Sequence, residues 1–372
     1  MCFKEKIISA GQNIGRFLMH ELTPEQFFKF FMRAAIGFFF CCILLVFAVD
    51  PYVCYHRSFV LRQVYQKSIA MIPGLLRHED FDSMMIGSSM AQNFDVGEIN
   101  SIFRVNCIKT TTAGLPSETL SVYLDKAIAA RGKKLKKIFV CFDFWMFSKD
   151  GVRLHDRYKY LYRDSFFAPE YFFSADTFES VFNAVLTNIV YPWDATAKQE
   201  ADRNKMFANK PRIRYGKKIL FRSIARDSGS VPQAGINIQR NIRRDLIAHI
   251  CKNPEIRFEI ILPPYSIYYW ALLKHHNLLE QNLELRNALA AELATFSNVR
   301  LHDLQAEKSV ICEPDNYRDS THYSRKISSW ILEAVHSGQY TGTGIKENNA
   351  RLCRIAGEYE TELSNLLKQG KD

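Results

Sequence analysis

Residues 84 to 94 read MMIGSSMAQNF, and the order strand, turn, helix in this short stretch sets the pattern for the rest of the chain. Two methionines and an isoleucine form an apolar run typical of a buried strand, and Gly87-Ser88-Ser89 follows it without a linker. The residues after the two serines have the spacing of a helix. A strand that turns into a helix on Gly-Ser-Ser either displays a nucleophile at its carboxyl end or makes an ordinary tight turn.

The same alternation of strand and helix recurs along the chain. Further apolar runs predict strands with helical sequence between them, and these runs are FRVNCIKT, KKIFVCFDFW, FEIILPPY and NVRLHDL. Strands that alternate with helices form parallel sheets covered on both faces. We therefore expect an α/β fold, a flavodoxin-like three-layer sandwich with a central parallel sheet of about five strands. Ligands of such sheets bind at the carboxyl ends of the strands.

The alternation breaks between residues 148 and 235, and we interpret this stretch as an insertion that lies over the strand ends. It divides a domain that spans residues 80 to 338. We expect residues 51 to 79 to form a helical linker before that domain. Residues 339 to 372 are expected to form a C-terminal tail, in which a flexible connector leads to one short helix.

An apolar segment predicts a single membrane anchor at residues 34 to 50. Its first sixteen residues carry no charged or strongly polar side chain, and the phenylalanines before it lengthen the run enough to cross a hydrocarbon core of ~30 Å. A secretory signal peptide fits less well, because no clear cleavage site follows, and a buried core helix is the other alternative. Basic residues precede the segment, so the positive-inside rule places residues 1 to 33 in the cytoplasm. We expect a single-pass protein of the inner (cytoplasmic) membrane whose large domain faces the periplasm or the cell surface.

The net charge of +10 is concentrated in the predicted insertion, because residues 198 to 226 hold ten basic residues against two acidic ones. A basic block attracts nucleic acid, anionic lipid or an acidic polymer, and it is also typical of a solvated loop. We expect no nucleic-acid partner, because the anchor places this block outside the cytoplasm. Lys217 and Lys218 are candidate contacts to an anionic glycan.

The nine cysteines leave the disulfide pattern open, because six of them lie beyond the anchor and six cysteines can pair in fifteen ways. Cys107 and Cys141 fall in predicted core strands, where a free thiol acts as a small apolar residue. No spacing of Cys and His indicates a zinc site. We expect neither a metal nor a cofactor.

A serine nucleophile needs a base, and the base needs a group that orients it. The stretch NYRDSTHYS follows the fifth predicted strand and holds Asp319 and His322, whose spacing lets both side chains converge from one turn. Ser89 as nucleophile, His322 as base and Asp319 as orienting carboxylate therefore form the candidate catalytic set. The alternatives are a structural histidine, a plain strand-end turn, and Ser88 as the nucleophile rather than as a helix cap.

The order of these motifs resembles the SGNH/GDSL hydrolase superfamily over residues 80 to 338. Gly87-Ser88-Ser89 is similar to its first block, Gly-Asp-Ser, with Ser89 at the nucleophile, and the stretch from Asp319 to His322 is similar to its last block, Asp-x-x-His. Gly114 in TTAGLP stands where the glycine of the second block supplies an oxyanion-hole N–H. The resemblance thus implies an oxyanion hole made by the backbone N–H groups of Ser89 and Gly114.

One departure from the superfamily concerns its third block, Gly-x-Asn-Asp. Here the corresponding stretch is VCFDFWMF, and only Asp143 stands near the place of the block. The chain resembles the membrane-tethered branch of the superfamily, which includes the protein for D-alanylation of teichoic acids and the acetyltransferases of exported polysaccharides. Members of that branch pair a Gly-Ser-Ser nucleophile with a single N-terminal anchor.

The resemblance implies a membrane-anchored O-acyltransferase that passes an acyl group, with acetyl the first expectation, through a serine acyl-enzyme to an envelope or exported glycan. It also implies that a multispanning membrane protein supplies the acyl group. Two alternatives stay open: a carbohydrate esterase with the same residues, and a catalytically inactive glycan-binding assembly factor, which the altered third block favours. Asn93, on the helical stretch after Ser89, is one more candidate contact to substrate.

Overall fold

A computed structural model describes residues 23–148, 156–163, 168–190, 213–226, 237–342 and 344–369. At its centre lies a sheet of five parallel strands in the order β2-β1-β3-β4-β5. The strands are β1 Ser83–Gly87, β2 Cys107–Thr111, β3 Lys137–Cys141, β4 Arg257–Leu262 and β5 Val299–Asp303. This strand order is that of the flavodoxin-like fold, so the predicted fold class is confirmed.

The helices cover both faces of the sheet. In the described part of the chain they are α1 Pro24–Val49, α2 Ser68–His78, α3 Val96–Phe103, α4 Ser117–Arg131, α5 Phe144–Ser148, α6 Pro169–Phe173, α7 Ala175–Val190, α8 Lys217–Arg226, α9 Ile238–Ile242, α10 Ala248–Lys252, α11 Ile267–His275, α12 Leu279–Leu293, α13 Lys308–Ile311, α14 Arg325–Ser337, α15 Ile345–Glu358 and α16 Glu360–Gln369. A π-helical turn, Arg243–Ile247, joins α9 to α10.

The side chains of the sheet alternate between two hydrophobic cores. Met84 and Ile86 of β1 pack on one face with α2, α4, α9 and part of α12. Met85 packs on the other face with α3, α8, α11, α14, α15 and α16. Because both faces are covered, a strand of this sheet reads as an unbroken apolar run, which explains the pattern that starts at residue 84.

The loops after β1 and β3 lie side by side at one edge of the sheet. Gly87, the last residue of β1, is level with Thr111 of β2 and with Cys141 of β3. The chain reverses its direction of travel across the sheet between β1 and β3, and this switch point is where flavodoxin-like sheets bind ligands.

The N-terminal helix α1 is long and apolar enough to cross a membrane, and most of its apolar stretch is exposed. The helix begins earlier than the predicted anchor, at Pro24, and it ends inside the domain. Val46 and Val49 are buried in the same core as Met84. Asp50, also buried, accepts hydrogen bonds from the backbone N–H groups of residues 54 to 56 and from the hydroxyl of Tyr171. The end of α1 is therefore an integral part of the folded domain.

The connecting segments differ from the sequence-based expectation in their detail. Within residues 51 to 79 only α2 is helical, and the residues before it form an irregular packed stretch. The C-terminal tail contains two helices instead of one short helix. Its α15 and α16 pack against α11 and α8, with Leu352, Ile355 and Leu363 buried. The tail thus belongs to the second core.

The described parts of the predicted insertion occupy two separate places. Helices α6 and α7 pack against α1, while α8 packs against α16. That the insertion as a whole lies over the strand ends stays a prediction. The part of the basic block between residues 198 and 212 lies outside the described residues.

Candidate active site

Each residue of Gly87-Ser88-Ser89 has its own structural role in the turn after β1. A Cβ on Gly87 would lie 2.8 Å from the Cβ of Ala91 and 2.9 Å from the Cβ of Cys141, so only glycine fits between the turn and β3. Ser88 is extended and caps the 3-10 turn Ser89–Ala91, because its hydroxyl accepts a hydrogen bond from the backbone N–H of Met90. Ser89 is left at the edge of the sheet with its side chain beside His322.

Ser89, His322 and Asp319 form a continuous hydrogen-bonded chain. The Ser89 Oγ lies 2.7 Å from His322 Nε2. On the other side of the imidazole ring, His322 Nδ1 lies 2.8 Å from Asp319 Oδ2 and 2.9 Å from Asp319 Oδ1. A carboxylate at Nδ1 keeps a proton on that nitrogen and leaves Nε2 free to accept one from the serine. The arrangement is that of a nucleophile, a general base and an orienting acid.

Asp319 stays ionised because the turn that holds it supplies several donors. Burial alone would raise its pKa, but hydrogen bonds from His322 and from the backbone N–H groups of His322 and Thr321 hold the pKa well below the ordinary value of 3.8. Arg318 adds an ion pair to the same carboxylate. Asp319 therefore carries its negative charge at neutral pH.

Two buried tyrosines hold the turn with Asp319 and His322 in place. Tyr317 and Tyr323 pair as an isolated antiparallel bridge that closes the turn. The Tyr317 hydroxyl donates to the carbonyl of Pro264, which follows β4, and the Tyr323 hydroxyl donates to the carbonyl of Met90, which follows Ser89. These contacts fix the base against two neighbouring loops of the sheet.

A cavity of about 330 Å³ opens beside the Ser89 hydroxyl. It is mainly apolar with a few polar groups, as is usual for small-molecule sites. Besides Asp319 and His322, the residues that line it are Ser88, Ser89, Met90, Gly114, Leu115, Pro116, Asp143, Trp145, Met146, Ser223, Ile224, Tyr269, Leu272, Ser320 and Thr321. The loops after β1, β2 and β3, the C-terminal half of α8 and the turn around His322 all contribute to its walls.

Gly114 borders this cavity, and its backbone has a φ of +65°, a region that favours glycine. A Cβ at this position would meet no atom within 4 Å, so backbone conformation and not space selects glycine here. Within the described part of the chain, the backbone N–H groups of Ser89 and Gly114 donate to no other group. Both are therefore available to a ligand in the cavity.

Asp143 lies two residues after the end of β3 and lines the same cavity as Ser88 and Ser89. Its carboxyl group accepts hydrogen bonds from the Ser88 hydroxyl at 3.3 Å and from the backbone N–H of Trp145 at 3.0 Å. Burial raises the pKa of Asp143 above its ordinary value, against the effect of these hydrogen bonds and of the charge of His322. The phenols of Tyr265 and Tyr269 lie close enough to interact electrostatically with it.

Three residues predicted to contact substrate do not line the cavity. Asn93 donates to the hydroxyl of Tyr215 and to the backbone carbonyl of Tyr323, the residue after His322. Lys217 and Lys218 are exposed at the start of α8, while the cavity meets the other end of that helix. Their contact with an anionic glycan therefore stays a prediction about the surface outside the cavity.

Several residues of the site were not singled out from the sequence. Trp145 and Tyr269 line the cavity, and the aromatic run FDFW directly after β3 was the available signal for the first of them. Ser223 and Ile224 reach it from α8, and no local motif marks them. The eight cysteines in the described residues are free thiols, and Cys107 and Cys141 are buried as expected.

Comparison with known proteins adds little to this picture. No family model matches the sequence, and no curated protein matches it. A solved structure from Streptococcus pneumonia, described provisionally as a platelet activating factor, is 11% identical to this chain. The likeness covers 72% of this chain and 91% of that one with a TM-score of 0.36, which is too low to support an argument about function. The fold and site by themselves define an α/β protein with a serine, histidine and aspartate in hydrogen-bonded order.

Proposed function

We propose that this chain is a membrane-anchored O-acyltransferase of the SGNH type that uses Ser89 to transfer an acyl group to an envelope or exported glycan. The observation that carries the proposal is the unbroken contact from the Ser89 hydroxyl through His322 to the Asp319 carboxylate, at 2.7 and 2.8 Å, beside an open cavity. The motif resemblance points to the same residues.

In the first half of the reaction, the Ser89 Oγ attacks the carbonyl carbon of the acyl donor while His322 Nε2 takes the hydroxyl proton. The tetrahedral intermediate then collapses, the bond to the leaving group breaks, and His322 returns the proton to that group. The product is an ester between the acyl group and Ser89. Asp319 stabilises the positive imidazolium that exists between the two proton transfers.

In the second half, a hydroxyl group of the acceptor glycan enters the cavity and gives its proton to His322. Its oxygen attacks the acyl-Ser89 ester, and the proton passes back to the Ser89 oxygen as the acyl group leaves. The backbone N–H groups of Ser89 and Gly114 are the candidate donors to the oxyanion in both halves. A donor of this kind contributes ~3 kcal/mol to stabilisation of the transition state in serine hydrolases.

The proposed place of action follows from α1. With this helix in the inner membrane and the positive residues before it in the cytoplasm, the site would face the periplasm or the cell surface. The acyl group would then come from the far side of the membrane, and a multispanning membrane protein is the class of partner that supplies it. The acceptor would be a glycan at the same surface.

The competing enzyme function is that of an esterase that removes acyl groups from glycan. It would use the same serine, histidine and aspartate, with water as the acceptor in the second half of the reaction. Transfer requires a cavity that admits a sugar hydroxyl in preference to water. The distribution of products between acylated sugar and free acid therefore distinguishes the two functions.

The test uses the full chain in detergent, because the end of α1 belongs to the core. The protein is exposed to p-nitrophenyl acetate, quenched in acid and examined by intact mass and peptide mapping. We expect an increase by one acetyl group on the peptide with Ser89, absent from Ser89→Ala and retained in Ser88→Ala, because the Ser88 hydroxyl bonds to Met90 and Asp143 while the Ser89 hydroxyl contacts His322. An adduct on Ser88, or on neither serine with no release of nitrophenol, would contradict the proposal.

The third function, a glycan-binding assembly factor without catalysis, predicts a different outcome. The wild-type chain would then give no adduct and no turnover, and cells with Ser89→Ala would modify their envelope glycan as the parent does. Adduct formation followed by transfer to a sugar acceptor would exclude it. Release of acetate in preference to transfer would favour the esterase.

A further inference from the structure

The exposed large hydrophobic side chains are not scattered over the molecule. In the described part of the chain, all of them lie on α1, at Phe59 and Val60, or on α6 and α7. A soluble surface normally carries such residues singly, so a concentration of this kind indicates contact with an apolar phase or a partner. The proposed membrane anchor accounts for the exposed residues of α1 but not for those on the following loop, α6 and α7.

One face of α7 carries four of these residues, Phe182, Leu186, Ile189 and Val190, which we call the α7 stripe. Their exposed fractions are 61%, 41%, 68% and 60%. Their spacing of three or four residues puts them on one side of the helix. The opposite side packs into the domain through the buried Val181 and Ala184. No charged residue occurs in α7 after Glu179.

The α7 stripe lies beside the apolar helix α1. Both α6 and α7 pack against α1, and the ring of Phe173 at the end of α6 lies 6.1 Å from the ring of Phe39. Phe39 precedes the end of α1 by ten residues, or about 15 Å along the helix axis at 1.5 Å per residue. Phe173 therefore contacts a section of α1 well before the buried end of that helix.

A second apolar contribution comes from the loop after α1. Phe59 and Val60 are 70% and 53% exposed. The ring of His56 lies between Phe47 of α1 and Phe59, with 4.8 Å between ring centroids on each side. This loop also joins α7, because the backbone N–H of Arg62 donates to the side chain of Asn188. Exposed apolar side chains thus stand on α1 and on both segments packed next to it.

We propose that the α7 stripe, together with Phe173, Phe59 and Val60, is immersed in the hydrocarbon of the leaflet on the domain's side of the membrane. The inference rests on the proposal that α1 crosses that membrane, and it adds a second point of contact. Lipid is the occupant that fits, because the stripe is free of charge and continuous with the exposed surface of α1. The domain would then be partly inserted in the leaflet, and α1 would not be its sole contact with the membrane.

The test places a photoreactive benzophenone amino acid at single positions in the full chain, reconstituted in liposomes of phosphatidylethanolamine and phosphatidylglycerol. Phe182 and Leu186 report on the α7 stripe. Phe38, which is 66% exposed on α1, is the control for the anchor, and the exposed Arg351 of α15 is the control for water. After irradiation, covalent lipid adducts on each labelled peptide are measured by mass. Each variant must unfold at the temperature of the parent before its result is used.

We expect lipid adducts at Phe182 and Leu186 in amounts comparable to Phe38, and adducts at Arg351 no higher than without irradiation. Adducts at Phe38 with none at Phe182 and Leu186 would overturn the inference while supporting the anchor. Crosslinks from the α7 stripe to a second copy of the chain would also overturn it, since protein would then occupy this face. An absence of lipid adducts at all positions would overturn both the anchor and the inference, but would leave the acetyl-transfer proposal to its own test.

Discussion

The hydroxyl of Tyr323 donates a hydrogen bond of 2.9 Å to the carbonyl oxygen of Met90. Tyr323 follows the proposed base, His322, and Met90 follows the proposed nucleophile, Ser89. This one contact therefore ties together two loops that lie more than two hundred residues apart in the chain. It sets the distance between base and nucleophile without taking part in the chemistry.

Replacement of Tyr323 by Phe should impair acylation of Ser89 more than it impairs stability. Loss of one buried hydrogen bond costs about 1 kcal/mol. Displacement of the imidazole by a fraction of an ångström should lower the acylation rate roughly tenfold or more. The measurement is the rate of acetyl-adduct formation together with thermal unfolding in detergent. Tyr123→Phe is the matched control, because its hydroxyl pairs with that of Tyr162 in the other core. Equal losses of rate in both variants would contradict the positioning role.

Replacement of Asp143 by Asn should stabilise the protein at neutral pH. Burial raises the pKa of this carboxyl group, so the folded chain holds its proton at pH values at which the unfolded chain has lost it. The stability of the parent therefore falls as the pH rises above about 3.8, the ordinary value for the group, and that fall is missing in the variant. Thermal unfolding of both proteins between pH 4 and pH 7 measures the difference.

Asp143→Ala is the matched control for that substitution. This substitution removes the acceptor of the Ser88 hydroxyl and of the Trp145 N–H. The Asp143→Ala protein should therefore be less stable than the Asp143→Asn protein at every pH. A parent that gains stability relative to Asp143→Asn on passing from pH 4 to pH 7 would show that the carboxyl group is ionised in the folded state. That result would contradict a raised pKa of Asp143 in the folded protein.

Lys109 on β2 should make stability depend on pH in the alkaline range. Its ammonium group is buried and donates to the carbonyl oxygens of Gln92 and Phe94, in the segment that follows Ser89. Burial lowers its pKa to about 8 from an ordinary 10.5. Between those values the unfolded chain binds more protons than the folded chain, so this residue makes stability rise with pH.

The measurement is the difference in thermal unfolding temperature between the parent and Lys109→Met from pH 7 to pH 10.5. The difference should shift in favour of the parent above pH 8. Other titrating groups are common to both proteins and cancel in the difference. Lys326→Met, at an exposed position of α14, should show no such shift. A constant difference for Lys109→Met across the range would refute the prediction.

Replacement of Gly87 by Ala should destabilise the protein by forcing β1 away from β3. The new Cβ would stand 2.8 Å from Ala91 Cβ and 2.9 Å from Cys141 Cβ, and such overpacking costs about 1–3 kcal/mol. It should also slow acylation, because the turn with Ser89 has to move. In Gly114→Ala the new Cβ would have no atom within 4 Å. This substitution should lower the free energy of unfolding by about 1 kcal/mol, because of the positive φ at residue 114 alone. Thermal unfolding that ranks Gly114→Ala as the more damaging change would contradict the steric argument.

The sequence predicted a parallel α/β sheet of about five strands, which the structure shows, and it singled out Ser89, Asp319 and His322, whose side chains lie in hydrogen-bond contact. Both follow from local patterns, since an unbroken apolar run marks a strand covered on both faces and Asp-x-x-His spans a single turn. The strand ends of a parallel sheet then bring Gly87-Ser88-Ser89 and Gly114 to one edge without knowledge of any long-range contact.

The contacts that the sequence does not show are those that depend on the tertiary structure. Asn93 was predicted as a candidate contact to substrate, and the structure shows its side-chain amide donating to the backbone carbonyl of Tyr323. The amphipathic pattern of α7 was visible in the sequence, yet periodicity alone does not show that α7 packs beside α1 while its outer face stays apolar. The irregular stretch before α2 carries no periodic signal, because its order comes from buried contacts such as those of Asp50.

The burial of Val46, Val49 and Asp50 joins the end of α1 to the domain without a flexible linker. With α1 fixed in a bilayer, the opening of the cavity would keep a constant distance from the membrane surface and a constant orientation relative to it. A small ester reaches such a mouth by diffusion from any direction. A polymer attached to the same membrane would meet it only at the section of chain that passes at that height. The enzyme would then acylate the polymer at a fixed distance from the point where the polymer is attached to the membrane.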